Sequence, residues 1–147
     1  MYLEYLGGER LNSWVTMPSG RHQATDEIIV RFQGDDGYRY TFTFLPGFSC
    51  DGGSVPWCFR WFVPSWDENN PELNIGYCLH DALYASELLP RRAADDLLES
   101  MLYVAGLSRF RATTVKYAVA NAASKHYGKA ADKLDDRLLF KMVRYKL

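Results

Sequence analysis

The hydrophobic pattern changes period along the chain. "SWVTM", "EIIVRFQ" and "YRYTFTF" are rich in β-branched and aromatic residues, which favour strands. "GDDG", at residues 34–37, separates the last two and has the composition of a turn. Glu27–Gln33 and Tyr38–Leu45 are therefore predicted to form a hairpin. "PGFSCDGGSVP" then breaks the regularity. Ser54 and Pro56 suit the start of a short helix, with Ser54 as its cap. That turn holds the aromatic cluster "WCFRWF" and ends near Pro64, and "PSWDENNPE" reads as a polar loop.

From Asn74 onward the period is helical. Helices are predicted near 74–88, 90–106, 109–127 and 131–145. In the second, Ala94, Leu97, Leu98, Met101, Leu102 and Ala105 form an apolar stripe, and Gly106 suits the C-terminal cap. In the third, Val115, Ala118, Val119 and Ala122 point to close helix packing, with Gly128 as the stop. In the fourth, Leu134, Leu138, Met142 and Tyr145 continue the pattern. The expected architecture is α+β: a small antiparallel β-sheet in the N-terminal third, packed on a helical C-terminal half. Residues 1–147 are expected to form a single domain, with the sheet and aromatic loop in 1–63 and the helical half in 74–147.

Composition narrows the class. Apolar residues make up 48% and aromatics 15%, so the chain is globular rather than disordered. No apolar run approaches the length of a membrane span, and "MYLEYLGGER" has an early acid and no long apolar stretch of a signal peptide. Cys50, Cys58 and Cys78 are odd in number and contain no C-x-x-C pair. That argues against a disulfide framework or a multi-cysteine zinc module, and reduced thiols in a cytosolic setting are expected. His22 and His126 are the only histidines besides His80, so any metal site would need carboxylates. Charge is split. Residues 1–108 carry 7 basic and 15 acidic side chains, net −8, and residues 109–147 carry 10 basic and 3 acidic, net +7. The basic end suits an anionic partner or membrane, or a solvated helix pair meeting the acidic half of its own fold; nucleic acid is not the expected partner, though the basic helices leave it open.

The segment "NIGYCLHDALYAS", residues 74–86, carries the chemistry. On a helix, Ile75, Cys78, Leu79 and Ala82 share one face and Tyr77, His80 and Tyr84 the opposite one, with Asp81 between. Apolar or aromatic groups on both sides imply burial. A buried carboxylate must be paired, hydrogen-bonded or metal-bound, because desolvating it alone costs several kcal/mol. Adjacent His80 and Asp81 diverge, so each needs its own partner. "CDGGSVP" offers Asp51 beside two glycines, as an ion-binding loop or a plain turn. "RRAADDLLES" offers Asp95 at the margin of the apolar stripe, facing inward, and Asp96 facing solvent, with Glu99 one turn along. Arg91 and Arg92 stand where the helix dipole disfavours cations, which a carboxylate or phosphate partner, or a surface salt bridge, would explain. Two readings follow. In one, Asp51, His80, Asp81 and Asp95 converge in a cleft; His80 acts as general base on water, while Asp51, Asp81 and Asp95 hold a divalent cation such as calcium or zinc. In the other, they are a buried polar network fixing the packing of helix and loop.

Three stretches in order, "PGFSCDGGSVP", "LHDALY" and "RRAAD", resemble a phage and prophage family, domain of unknown function 1353. Its pattern is a T-D-x-A-S-x-P loop, an L-H-D-x-L-Y helix and an R-x-x-A-D helix. Asp51, Ser54 and Pro56 match the loop; Leu79, His80, Asp81, Leu83 and Tyr84 match the helix; Arg91, Ala94 and Asp95 match the last motif. Cys50 and Gly53 depart from the family's threonine and alanine. The resemblance implies a bacteriophage origin. It places the chain in the host cytoplasm during infection or in the virion, with other phage proteins or a host cell-envelope substrate as partners. "HDALY" is also similar to the H-D-x-x-Y helix of secreted phospholipases of the A2 type. That likeness would make His80 the base, Asp81 a calcium ligand and Tyr84 a supporting donor. Two functions are carried forward: a metal-assisted hydrolase of an amide, ester or phosphoester, with Ser54, Tyr84 and Arg91 in support; and a head, tail or assembly component of the virion.

Overall fold

The computed structural model describes residues 1–51, 63–123 and 139–146. Its strands and helices follow as β1 (Leu3–Glu9), β2 (Trp14–Thr16), β3 (His22–Ala24), β4 (Ile28–Gly34), β5 (Tyr38–Phe44), β6 (Ser49–Cys50), α1 (Pro71–Ser86), α2 (Arg91–Val104), α3 (Arg109–Ala123) and β7 (Phe140–Lys146). Two antiparallel sheets form, a four-stranded one in the order β1-β4-β5-β7 and a three-stranded one in the order β2-β3-β6. The class is α+β.

The expected hairpin is present, with Ile28 opposite Phe44 and Gln33 opposite Arg39. Strict alternation makes it. Ile28, Val30 and Phe32 on one strand and Tyr40, Phe42 and Phe44 on the other all point into the core, and the residues between them are half-buried. Asp36 shapes the turn by accepting hydrogen bonds from the Tyr38 amide and the Tyr40 hydroxyl.

The last helix corrects the expectation. Where 131–145 was read as helical, Phe140–Lys146 is a strand that pairs along the whole of β5, from Phe44–Phe140 to Tyr38–Lys146. "FKMVRYK" fits both periods over its short length. Pairing decides it: β5 would otherwise present a row of open backbone groups, and Phe140 stacks on Phe42 in the core. The part of that predicted helix before residue 139 lies outside the described residues, as do Ser54, Pro56, the "WCFRWF" cluster, Gly128 and His126.

α1 starts earlier than its apolar period. Asn70 caps it, its side chain accepting from the Leu73 amide at 3.3 Å, and Pro71 occupies the first turn. The Asn70 amide also donates to the Ala105 carbonyl at 2.9 Å, tying the start of α1 to the end of α2. As expected, α1 is buried nearly all round, from Leu73 to Ala85, with Asp81 half-buried. Ile75, Cys78, Leu79 and Ala82 join the core against the large sheet. Leu73 and Tyr77 join a second cluster with Leu98, Leu102, Val115 and Val119 from α2 and α3. Close approach of the first two helices depends on Gly76, where an added Cβ would stand 3.0 Å from Met101 Cβ. Gly106 ends α2 as expected. Its backbone is left-handed, and Leu107 N–H and Gly106 N–H reach back to the Leu102 and Tyr103 carbonyls.

A second correction concerns the cysteines. Cys50 and Cys78 are joined in a disulfide between β6 and α1, with Cα atoms 5.9 Å apart, rather than standing as reduced thiols. β6 lies over the sheet-facing side of α1, and both cysteines are buried there. A separation of 28 residues and the lack of a local motif hid the pair. The cysteines therefore lend no support to a reducing compartment. No helix among the described residues is long and apolar enough to cross a membrane.

Candidate functional site

α1 and α2 place the candidate pair. His80 is buried on α1, and Asp95 is buried on α2 at the edge of its apolar stripe. His80 Nε2 lies 2.8 Å from Asp95 Oδ1. Tyr84, one turn along from His80, donates its hydroxyl to the same oxygen at 2.6 Å. Its ring lies against the imidazole, centroids 4.2 Å apart. One carboxylate oxygen thus accepts two bonds in a largely buried site, where an unpaired partner would be costly. The expected acidic neighbour of His80 is Asp95.

In a neutral imidazole, a carboxylate facing Nε2 places the proton on Nε2 and the lone pair on Nδ1. Among the described residues Nδ1 has no hydrogen-bond partner. Asp81 projects from the same helix, is half-buried and has a partner of its own.

Asp51 stands elsewhere. It is exposed at the end of β6 and accepts a 2.7 Å bond from Arg21, whose guanidinium also bonds Ser49. Among the described residues no group of three or more His, Cys, Asp or Glu side chains is arranged to hold a metal ion. With Asp51 held by Arg21, the described residues do not fit the three-carboxylate set of Asp51, Asp81 and Asp95.

On the other side of Asp95, α2 and α3 bound a cleft of about 430 Å³ lined by Arg91, Arg92, Asp95, Asp96, Lys116 and Tyr117, among others. Lys116 bonds Asp96 at 3.2 Å and approaches Glu99 at 3.6 Å. Burial alone would lower its pKa; the bond to Asp96 and the charges of Glu99, Asp96 and Tyr117 outweigh that and raise it. Arg91 and Arg92 have no hydrogen-bond or ion-pair partner among the described residues.

The structure also contains a histidine that local sequence gave no reason to single out. His22, buried at the start of β3, lies flat on Trp66 with ring centroids 3.6 Å apart, and its Nδ1 is 3.0 Å from Thr16 Oγ1. Burial lowers its pKa, against the upward pull of Asp51 and Glu68. Thr16 and His22 meet through the pairing of β2 with β3, and Trp66 reaches them from the loop before α1, so nothing in their spacing announced the contact.

The site is thus a helix-borne histidine–carboxylate pair within an α+β domain. The model of a family described as protein of unknown function (DUF1353) matches residues 27–119. That is more than half of the chain, and the chain belongs to this family. No curated protein and no solved structure matches it.

Proposed function

We propose that the chain is a bacteriophage-encoded hydrolase of an amide, ester or phosphoester, with His80 as general base. The observation that carries this is the 2.8 Å contact of His80 Nε2 with Asp95, which leaves Nδ1 without a protein partner among the described residues. In this reading Nδ1 takes a proton from water as the water oxygen bonds to the carbonyl carbon or phosphorus. Asp95 steadies the imidazolium that forms, and the imidazolium returns the proton to the departing oxygen or nitrogen as its bond breaks. Tyr84 holds the carboxylate in place. Arg91 and Arg92 line the cleft on the far side of Asp95, where they would hold a negative charge carried by a remote part of the substrate. The likeness of the three motifs to a phage and prophage family supports the origin, with action in the host cytoplasm or the virion.

Burial favours a second reading. The His80 and Asp95 side chains are only 3% and 10% exposed, as suits a polar network that fixes helix packing in a virion or assembly component. His80→Asn separates the two. For a general base, turnover of a responsive ester, amide or phosphoester should fall about 10²–10⁴-fold while the melt is largely retained. A folded wild-type chain that turns over none of these substrates, yet is present in stoichiometric amounts in purified virions, would overturn the hydrolase.

A further inference from the structure

We infer that the cleft between the three-stranded sheet and the loop before α1 binds an organic cation, a quaternary or methylated ammonium group, between Trp14 and Trp66. This cleft is separate from the His80 pair. It measures about 430 Å³, and its lining includes Asn12, Trp14, Thr16, Trp66, Glu68 and Asn74.

The two indoles meet nearly at right angles, at 88° with centroids 5.6 Å apart, and both line the cleft. Both are half-buried rather than enclosed. Trp14 is braced from behind by Phe44 and Phe48, and Trp66 by the stacked ring of His22. The corner is therefore a fixed part of the fold, not a chance approach of surface rings.

The state of each polar group selects the ligand. The Trp14 indole N–H is already donated to the Leu11 carbonyl at 3.1 Å, so Trp14 offers the cleft only its π-system. The Thr16 hydroxyl is engaged with His22. Both ends of the Asn74 amide are engaged with the Asp67 backbone, at 2.8 and 3.0 Å. Asn12, the Trp66 indole N–H and Glu68 remain, and Glu68 has no ion-pair or hydrogen-bond partner among the described residues. A sugar, with its many hydroxyls, would find too few partners here. An alkylated ammonium needs none: it requires aromatic faces, which attract a cation through their quadrupole, and a carboxylate for its charge. No Lys or Arg is among the described lining residues to oppose it.

The test titrates choline into the full-length chain and follows the indole N–H signals of Trp14 and Trp66 by NMR. The neutral isostere 3,3-dimethyl-1-butanol and N-acetylglucosamine are titrated in parallel. Choline should shift both signals saturably, with affinity at least about tenfold above that of the neutral isostere, since only the charge differs. Glu68→Gln, an exposed substitution that leaves the fold intact, should weaken choline several-fold. Trp66→Phe keeps a ring against His22 and should also weaken it, whereas Glu9→Gln, outside the cleft, should leave it unchanged. Equal binding of the isostere, tighter binding of the sugar, an unchanged Glu68→Gln or no saturable shift would each overturn the inference.

Discussion

The two buried histidines of the described structure are held in opposite ways. His80 is fixed by an acid brought from a neighbouring helix, and that acid also accepts from Tyr84. His22 is fixed by a hydroxyl on a short strand and by the face of an indole beside an open cleft. Both are nearly inaccessible, at 3% and 8% exposure, so burial alone does not distinguish them. Their partners do. A carboxylate bonded to two donors between two long helices is a node on which packing depends. A hydroxyl at a strand end is a modest tether, and the indole constrains orientation more than charge. The same side chain thus serves as one arm of a carboxylate-centred network in one place and as the backing of an aromatic wall in the other.

The sharpest way to break this comparison is to remove the acceptor from each. Asp95→Ala would leave the His80 N–H and the Tyr84 hydroxyl facing a void in the core. Two buried donors losing one charged acceptor should lower stability by about 3 kcal/mol or more. Thr16→Ala removes one exposed hydroxyl from His22 and should cost no more than about 1 kcal/mol. Urea melts of both variants measure the difference. Equal losses would mean that Asp95 does not centre the network.

A smaller effect sharpens the contrast through pH. Burial holds the His22 pKa below the ordinary histidine range, so protonation is easier in the unfolded chain. A depressed pKa contributes stability that is complete above the unfolded value and lost as pH falls through the folded one. The wild type should therefore lose more stability than His22→Gln as pH drops from neutral through the histidine range into the acid region. The gap between the two should be flat above neutrality and narrow below it. A gap that widens on acidification would show that Asp51 and Glu68 dominate over burial.

How far the sequence foretold these two regions follows from how local their signals are. The β4–β5 hairpin was readable because alternation and turn chemistry lie within one stretch. The stripe of α2 was readable for the same reason, and with it the inward side of Asp95 at the stripe's edge. β7 was not, because Met142 and Tyr145 also fit a helical period and only pairing with β5, about a hundred residues earlier, selects the strand. β1 was overlooked although it pairs along β4. The cap of α1 was present in "NNPE" but was overshadowed by its polarity. Asp51, beside two glycines, suggested an ion site; Arg21, thirty residues away, takes it instead. The Trp14–Trp66–His22 corner is assembled wholly by long-range contacts, so no window of the sequence contains it.

The smallest expected effect is the finest test of the helix faces. Asp96 is the immediate neighbour of Asp95, turned about 100° around α2. Its side chain is 44% exposed and reaches Lys116 at 3.2 Å, so it is more engaged than the solvated position the sequence suggested. Lys116, only 13% exposed, also has Glu99 at 3.6 Å. When Asp96 is replaced by alanine, Glu99 remains to hold the ammonium, and a half-exposed ion pair contributes little by itself. Asp96→Ala should therefore change stability by no more than about 0.5 kcal/mol. Adding Glu99→Ala should cost more than the sum of the two single losses, because only then does Lys116 lose both of its acidic partners. A thermodynamic cycle in urea reads this coupling. A single Asp96→Ala loss near that of Asp95→Ala would contradict the separation of the two neighbouring aspartates into a network centre and a replaceable surface partner.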